Sequence, residues 1–262
     1  MPTTIAVAGK GGVGKTTVAA LAIKHLAATG RGPTLAIDAD PSSNLNMALG
    51  LDLDWTVGDI REGLLAKVRE SVTAGGAAMG GLPEGVSKRE YLDYEVRSSL
   101  SEGRDFDLIA MGRSEGPGCY CAVNHNLREV IDAIGEGYRY VVIDNEAGME
   151  HLSRRTTRDV KHLLIVSDPS HRGIVAAGRI AGFRRELDIH IENAYLIVNR
   201  VPADGLPPAL QEAVDKVDAP LLGTIPEAGD IRDFDVTGRP LVEVEGGSPV
   251  YRAVAEMLET IL

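Results

Sequence analysis

A glycine-rich run near the N-terminus has the residue types and the spacing of a phosphate-binding loop. The match to G-x-x-x-x-G-K-[ST] comprises Gly9, Lys10, Gly11, Gly12, Val13, Gly14, Lys15 and Thr16, with Thr17 next. Glycines permit a tight turn in which successive backbone N–H groups and the positive end of the following helix converge on phosphate oxygens. Lys15 would reach the terminal phosphates and the Thr16 hydroxyl would ligate Mg²⁺. The run therefore predicts a nucleotide site.

Acidic residues follow two of the apolar segments expected to form strands. Asp38 and Asp40 come at the end of the second segment, and Asp144 comes at the end of a later one. Carboxylates at the carboxyl ends of central strands point into the crevice where Mg²⁺ and the terminal phosphate lie. We therefore expect these three side chains to belong to the nucleotide site. Helix capping is the alternative role for Asp40, since Pro41 follows it.

The two cysteines of the chain, Cys119 and Cys121, lie two positions apart. In an extended segment their Cα atoms would be about 6.5 to 7 Å apart on one side of the chain, close enough for both sulfurs to bind one ion. Two protomers related by a two-fold axis would complete a four-thiolate site, which suits tetrahedral zinc or square-planar nickel. Buried structural cysteines, a strained redox disulfide and a shared [4Fe-4S] cluster remain alternatives.

The apolar segments predict an α/β fold of the P-loop NTPase type. Their hydrophobic residues are continuous rather than alternating, which is typical of strands buried on both faces of a parallel sheet. The expected strands are residues 3–9, 33–37, 106–111, 140–143, 163–166, 195–198 and 221–225. Helical patterns cover 16–29, roughly 124–135, and 249–262, and residues 75–87 indicate a mobile surface loop. We expect one domain over 1–262, with a mostly parallel central sheet of about eight strands and helices on both faces.

The composition disfavours several classes of partner. The net charge of -11 opposes binding to nucleic acid, and the longest apolar runs fall far short of the roughly 20 residues needed to span a bilayer. The last helical segment has one Arg and two Glu, so we expect no stable membrane association. The sequence has no visible secretion signal, and we expect a cytoplasmic protein.

The second lysine of the loop, Lys10, gives the chain a family resemblance. The loop resembles the deviant P-loop of the nitrogenase iron protein, division-site ATPases, plasmid-partition ATPases and metallocofactor maturation ATPases. This resemblance implies hydrolysis of ATP to ADP and phosphate in a nucleotide-dependent homodimer, where Lys10 reaches the partner's phosphates. It also implies that Asp38 and Asp144 support Mg²⁺, that Asp40 orients the attacking water, and that the Gly148 backbone senses the terminal phosphate.

The same resemblance suggests where the base binds. Asn199 with Arg200, and Pro226 with Glu227, each follow an apolar strand and resemble the family's adenine-contacting positions. The guanine-specific pattern N-K-x-D is not present, because Pro202 stands where its Asp would be, so ATP is favoured over GTP. Ordinary surface charges are the alternative interpretation of Arg200 and Glu227.

Two further stretches, residues 112–128 and 144–154, resemble the accessory ATPases that mature nickel-containing carbon monoxide dehydrogenase. This closer resemblance covers nearly the full chain. It implies that Cys119 and Cys121 bind Ni²⁺ at the dimer interface and that the protein assists nickel insertion into carbon monoxide dehydrogenase, its client.

The resemblance leaves the metal itself open. Zn²⁺ suits the same four thiolates as Ni²⁺. An iron-sulfur carrier or electron donor with a [4Fe-4S] cluster between the subunits is the main alternative function, although the nitrogenase iron protein takes its ligands from two separate chain segments. His125 and His151 are near the motifs but are not assigned as ligands.

Overall fold

A mostly parallel sheet of eight strands organises the residues that the structure, a computed structural model, describes: 1–73, 85–112, 121–147, 159–184 and 189–262. The strands are β1 (Thr3–Gly9), β2 (Thr34–Asp38), β3 (Ser101–Glu102), β4 (Phe106–Ala110), β5 (Tyr140–Asp144), β6 (Asp159–Ser167), β7 (His190–Val201) and β8 (Leu221–Pro226). Their order across the sheet is β3-β4-β2-β5-β1-β6-β7-β8. Only β3 is antiparallel to its neighbour, β4.

Helices cover both faces of this sheet. They are α1 (Lys15–Ala28), α2 (Leu45–Leu49), α3 (Val57–Thr73), α4 (Lys88–Ser98), α5 (Cys121–Gly135), α6 (His171–Phe183), α7 (Pro208–Val214), α8 (Gly229–Thr237) and α9 (Pro249–Ile261), with a 3-10 turn at Leu241–Glu243. Successive side chains of β1 enter opposite cores, as the pleat requires. Ile5 and Val7 pack with α1 and α9, while Ala6 and Ala8 pack with the helices of the other face.

The predicted fold class is confirmed, with differences at the boundaries of elements. Strand β3 has two residues, too few for any hydrophobic pattern. Strands β6 and β7 begin before the apolar segments that predicted them. The first residues of each strand alternate between polar, exposed side chains and more buried ones, so they do not form a continuous apolar run. Helix α5 begins at Cys121, three residues before the predicted start at 124. Most of the predicted loop, residues 75–84, lies outside the described residues. Every helix within the described ranges is too short or too polar to cross a bilayer.

The register of the central strands brings the motifs to one edge of the sheet. Asp38 at the end of β2 pairs with Asp144 on β5 and with Ala110 on β4. Hydrogen bonds continue this alignment beyond the strands, since the Ala39 N–H donates to the Asp144 carbonyl at 2.9 Å and the Met111 N–H donates to the Asp38 carbonyl at 2.8 Å. The acidic residues therefore lie at the same edge of the sheet as the loop that follows β1, and the end of β4 lies next to Asp38 at that edge.

Candidate nucleotide site

The phosphate loop between β1 and α1 needs glycine at two positions for different reasons. A Cβ at Gly9 would lie 2.3 Å from the carbonyl oxygen of Val166, so the chain leaves β1 in close contact with β6. Gly14 has a φ of +94°, and a Cβ there would lie 2.3 Å from Asn199 Nδ2. Helix α1 begins at the next residue, so its first N–H groups and the positive end of its dipole are directed at the loop.

Lys15 is a buried cation beside an open cleft. It is 8% exposed, and its Nζ donates a long hydrogen bond of 3.4 Å to the Lys10 carbonyl. The cleft has a volume of about 420 Å³ and is lined by loop residues together with Asp40, Ser42 and Glu146. A bond to a phosphate oxygen would be stronger than the present one, because it joins opposite charges. The position therefore fits the predicted role of Lys15, while the Lys10 side chain is exposed.

Asp144 is a buried carboxylate in direct contact with the loop. It is 1% exposed, and its Oδ2 accepts a hydrogen bond of 2.6 Å from the Thr16 hydroxyl. Its other oxygen, Oδ1, is buried with no hydrogen-bond partner among the described residues. Burial is the main reason that the pKa of Asp144 is raised to about 7; the Thr16 bond opposes this shift and the charge of Asp38 adds to it. An ionised carboxylate in this position calls for a cation.

Asp38 is equally buried but is committed to the backbone. Its two oxygens accept hydrogen bonds from the N–H of Asp40 at 3.1 Å and from the N–H of Leu45 at 2.9 Å. Burial again dominates and raises the pKa of Asp38 to about 6, although these backbone bonds lower it. Because Leu45 is the first residue of α2, Asp38 fixes the position of that helix.

The oxygen atoms of this group suit magnesium. Mg²⁺ prefers hard oxygen ligands and binds proteins through one or two carboxylates plus the phosphates of a substrate. Thr16 supplies a hydroxyl and Asp38 and Asp144 supply carboxylates, one of which retains the unpartnered buried Oδ1 atom. The residues therefore fit the ion that the sequence predicts, with Thr16 and Asp144 in contact and Asp38 on the adjacent strand.

Asp40 lines the cleft and does not cap α2. Its Oδ1 accepts a hydrogen bond of 2.8 Å from the Ser42 N–H, which closes a turn before the helix. The N–H of Leu45, where α2 begins, is bound by Asp38 instead. The capping alternative for Asp40 is therefore wrong. Ser42 and Glu146, for which the sequence predicted no role, also line the cleft; Ser42 lies two residues after Asp40, and Glu146 lies two residues after Asp144.

The four residues predicted to contact adenine line one pocket. Asn199, Arg200, Pro226 and Glu227 surround a volume of about 390 Å³ together with Thr17. Arg200 also lines the phosphate cleft, so the two spaces adjoin. Asn199 is already bound to the phosphate loop, because its Nδ2 donates to the Val13 carbonyl at 2.8 Å.

The opposite wall of that pocket belongs to α8. Arg232 and Asp235 lie there, and neither residue was predicted from the sequence. In the sequence, these two residues are marked only by lying five and eight positions after Glu227. That spacing does not distinguish residues that line a pocket from residues on a solvent-exposed helix face.

The cysteine motif is described only in part. Cys119, Gly148 and His151 lie outside the described residues, and Cys121 and His125 are described only as backbone positions of α5. Because Cys121 is the first residue of α5, the extended conformation on which the Cα separation of about 6.5 to 7 Å was conditional does not hold at this residue. Among the residues that are described, no cluster of three or more His, Cys, Asp or Glu side chains could hold a metal ion.

Comparison with known proteins gives both a family and a set of relatives. A model described as "CbiA: CobQ/CobB/MinD/ParA nucleotide binding domain" matches residues 4–241. An uncharacterized ATP-binding protein of Methanocaldococcus jannaschii is 40% identical over 262 residues, covering 98% of each chain. The carbon monoxide dehydrogenase accessory protein CooC of Rhodospirillum rubrum is 30% identical over 265 residues, covering 98% of this chain and 95% of its own.

Solved structures agree with the fold. The septum site-determining protein MinD of Pyrococcus horikoshii, complexed with Mg-ADP, superposes with a TM-score of 0.69 at 23% identity, covering 100% of this chain and 96% of its own. The cell division protein MinD of Aquifex aeolicus gives 0.69 at 24% identity, covering 98% and 95%. At these identities the likeness concerns the fold alone. With the family match over residues 4–241, the chain belongs to the CobQ/CobB/MinD/ParA family of nucleotide-binding domains.

Proposed function

We propose that this chain is an ATP-hydrolysing metallochaperone for nickel. In this proposal ATP closes two copies into a homodimer, Cys119 and Cys121 of both copies bind one Ni²⁺ ion, and the ion is passed to carbon monoxide dehydrogenase. One juxtaposition carries the proposal. The segment that contains Cys119 begins directly after Gly112, and the preceding residue, Met111, donates its N–H to the carbonyl of the nucleotide-site residue Asp38 at 2.8 Å.

The residues of the cleft have the chemistry that ATP hydrolysis needs. Lys15 and the loop N–H groups would bind the phosphates, with Lys10 of the second copy adding charge from outside. Asp40 would orient the attacking water for in-line transfer, so no covalent intermediate is required. Magnesium, held by Thr16 and the carboxylates, would neutralise charge that develops on the phosphate oxygens.

The contacts of Asp38 would connect the nucleotide site with the cysteine segment proposed to bind Ni²⁺. Its carboxylate holds the backbone of Asp40 and the first residue of α2, while its carbonyl holds the end of β4. Neighbouring strands lie about 4.8 Å apart, so the start of the cysteine segment is one strand from Asp38. Loss of the terminal phosphate would release the Asp40 turn, let the two copies part and weaken the four-thiolate site.

The relatives support this choice among the functions of the family. A protein named as a carbon monoxide dehydrogenase accessory protein is similar along nearly the full length of both chains. The 40% identical relative is named only as an ATP-binding protein, so it supports the nucleotide and not the cargo. Soft thiolate donors suit nickel or zinc and do not suit magnesium, which separates the cargo site from the nucleotide site.

Titration of the reduced protein with Ni²⁺, with and without ATP or ADP, tests the proposal. We expect one ion per two chains and a dimeric mass with ATP, and weaker binding below neutral pH because thiols with a pKa near roughly 8.5 must lose protons. Cys119→Ala and Cys121→Ala should abolish tight nickel binding and retain much of the ATPase activity. Equal loss of both activities would contradict a separate cargo site. A brown protein with broad visible absorption after anaerobic purification would favour the iron-sulfur alternative.

A further inference from the structure

Two consecutive residues at the end of β7 bind two consecutive carbonyl groups of the phosphate loop. Asn199 Nδ2 donates to the Val13 carbonyl at 2.8 Å, and the Arg200 guanidinium donates to the Gly12 carbonyl at 3.0 Å. Asn199 is 6% exposed, and its Oδ1 accepts a bond of 2.9 Å from the Arg200 N–H, so the two residues also bind each other. We call Asn199 and Arg200 the loop brace.

The brace fixes the direction of two loop N–H groups. A trans peptide is planar, so the N–H of Val13 points opposite to the Gly12 carbonyl, and the N–H of Gly14 points opposite to the Val13 carbonyl. Both carbonyls are held on the side of β7. In the sheet β7 lies on one side of β1, while β5 and β2, whose following residues line the phosphate cleft, lie on the other. The two N–H groups are therefore directed away from β7, as an anion cradle requires.

The backbone of Arg200 is an independent sign that this contact is enforced. Its φ is +58°, in the left-handed region that residues other than glycine rarely adopt. Such strain persists where the surrounding structure holds it in place, and it is concentrated at functional sites. The bond from Asn199 Oδ1 to the Arg200 N–H holds this conformation and leaves the guanidinium at Gly12.

We infer that Asn199 and Arg200 are positioning residues for the phosphate cradle, acting on bound phosphates whether or not a base fills the adjoining pocket. The inference rests on the proposed function only in taking ATP as the ligand of this site. This role differs from contact with adenine, because loss of the loop brace should weaken the binding of a ligand that has phosphates but no base. It also explains why an arginine, with its forked donors, lines both the phosphate cleft and the base pocket.

Inorganic tripolyphosphate and ADP are the two probes that separate these roles, with binding measured by calorimetry in the presence of Mg²⁺. Arg200→Gly removes the guanidinium and relieves the positive φ, so the unfolding temperature without ligand should be unchanged or raised. The affinities for tripolyphosphate and ADP should both fall, each by about tenfold, if the loop without its brace holds the binding conformation only about a tenth of the time. A gain in stability together with a loss of affinity is a result that a merely structural role would not produce.

Arg232→Ala is the matched control for charge. Arg232 lines the base pocket and not the phosphate cleft, so its loss of tripolyphosphate affinity measures the attraction of an arginine charge in the adjoining pocket. The brace predicts a several-fold larger loss for Arg200→Gly. Equal losses for both variants, or an Arg200→Gly variant that loses ADP but binds tripolyphosphate normally, would overturn it. If the unmodified chain binds neither ATP nor tripolyphosphate, the proposed function fails first, and the brace fails with it.

Discussion

Replacement of Gly14 by Ala is predicted to damage the phosphate loop through a clash with Asn199. The new methyl group would start 2.3 Å from Asn199 Nδ2, a separation that no real pair of atoms maintains. Either the loop or Asn199 must move. Because Asn199 is nearly fully buried and bound on both sides, its movement breaks its bonds to Val13 and Arg200.

The magnitude follows from two contributions. A left-handed φ costs a residue with a Cβ about 1 to 2 kcal/mol relative to glycine. A buried polar group left without its partner costs a further ~1 to 3 kcal/mol. Gly14→Ala should therefore lower the free energy of unfolding by about 2 to 5 kcal/mol, a large fraction of the stability of an ordinary domain. Gly205→Ala is the matched control, since Gly205 has a φ of +83° with nothing within 4 Å of its Cβ position.

Urea unfolding of both variants, without nucleotide, provides the assay. The control should lose only the backbone contribution of about 1 to 2 kcal/mol, so the two variants should differ by ~2 kcal/mol. The double variant Gly14→Ala with Asn199→Ala should lose less stability than the sum of the two single variants. Asn199→Ala removes the Nδ2 atom with which the new methyl group would clash. Equal losses for Gly14→Ala and Gly205→Ala would refute the steric argument, as would full additivity in the double variant.

Three other substitutions test the two loop lysines and a buried histidine of β6. Lys10→Ala, which removes an exposed side chain, should retain nucleotide binding but prevent ATP-dependent dimerisation, measured by light scattering. Lys15→Ala should lose nucleotide binding itself. A Lys10→Ala variant that still dimerises with ATP would disprove the shared site. His162→Phe tests pH dependence: burial, with a contribution from Lys161, lowers the pKa of His162, and neither ring nitrogen has a partner among the described residues. The unfolded chain then binds the proton first, so stability should fall by up to about 1.4 kcal/mol per pH unit as pH drops below roughly 6.5. The variant should lack this fall in urea titrations at acid and neutral pH, and an identical slope in both proteins would contradict the assignment.

The fold was largely predictable because its strands are buried on both faces. Residues 5–8 of β1 are fully buried, so their apolar run is continuous and distinguishes a parallel core strand from an amphipathic one. The boundaries were less predictable. Strand β7 begins at His190 with alternating exposed residues, and its pairing with β6 rather than its hydrophobicity makes those residues a strand.

The candidate site was predictable where chemistry is carried by a local motif. Lys15, Thr16 and Asp144 were identified from spacing, and the contact of 2.6 Å between Thr16 and Asp144 agrees with the predicted crevice. The different hydrogen-bond partners of Asp38 and Asp40 were not predictable. Both precede α2 in the sequence, and only the three-dimensional path shows that Asp38 reaches Leu45 while Asp40 closes the turn at Ser42.

If Asp38 supports Mg²⁺ as proposed, its contacts would connect that ion to the start of the cysteine segment without a moving domain. A buried carboxylate that binds two backbone N–H groups and also supports a cation must balance both demands, since its lone pairs are limited. In the proposed function, a change in the cation or the terminal phosphate would alter how the Asp38 carboxylate is shared with the N–H groups of Asp40 and Leu45, which it binds here. Its main chain is at the same time hydrogen-bonded to Met111, one residue before Gly112. A nucleotide-driven change at this strand end would therefore continue along the chain toward Cys119, one of the two proposed metal ligands.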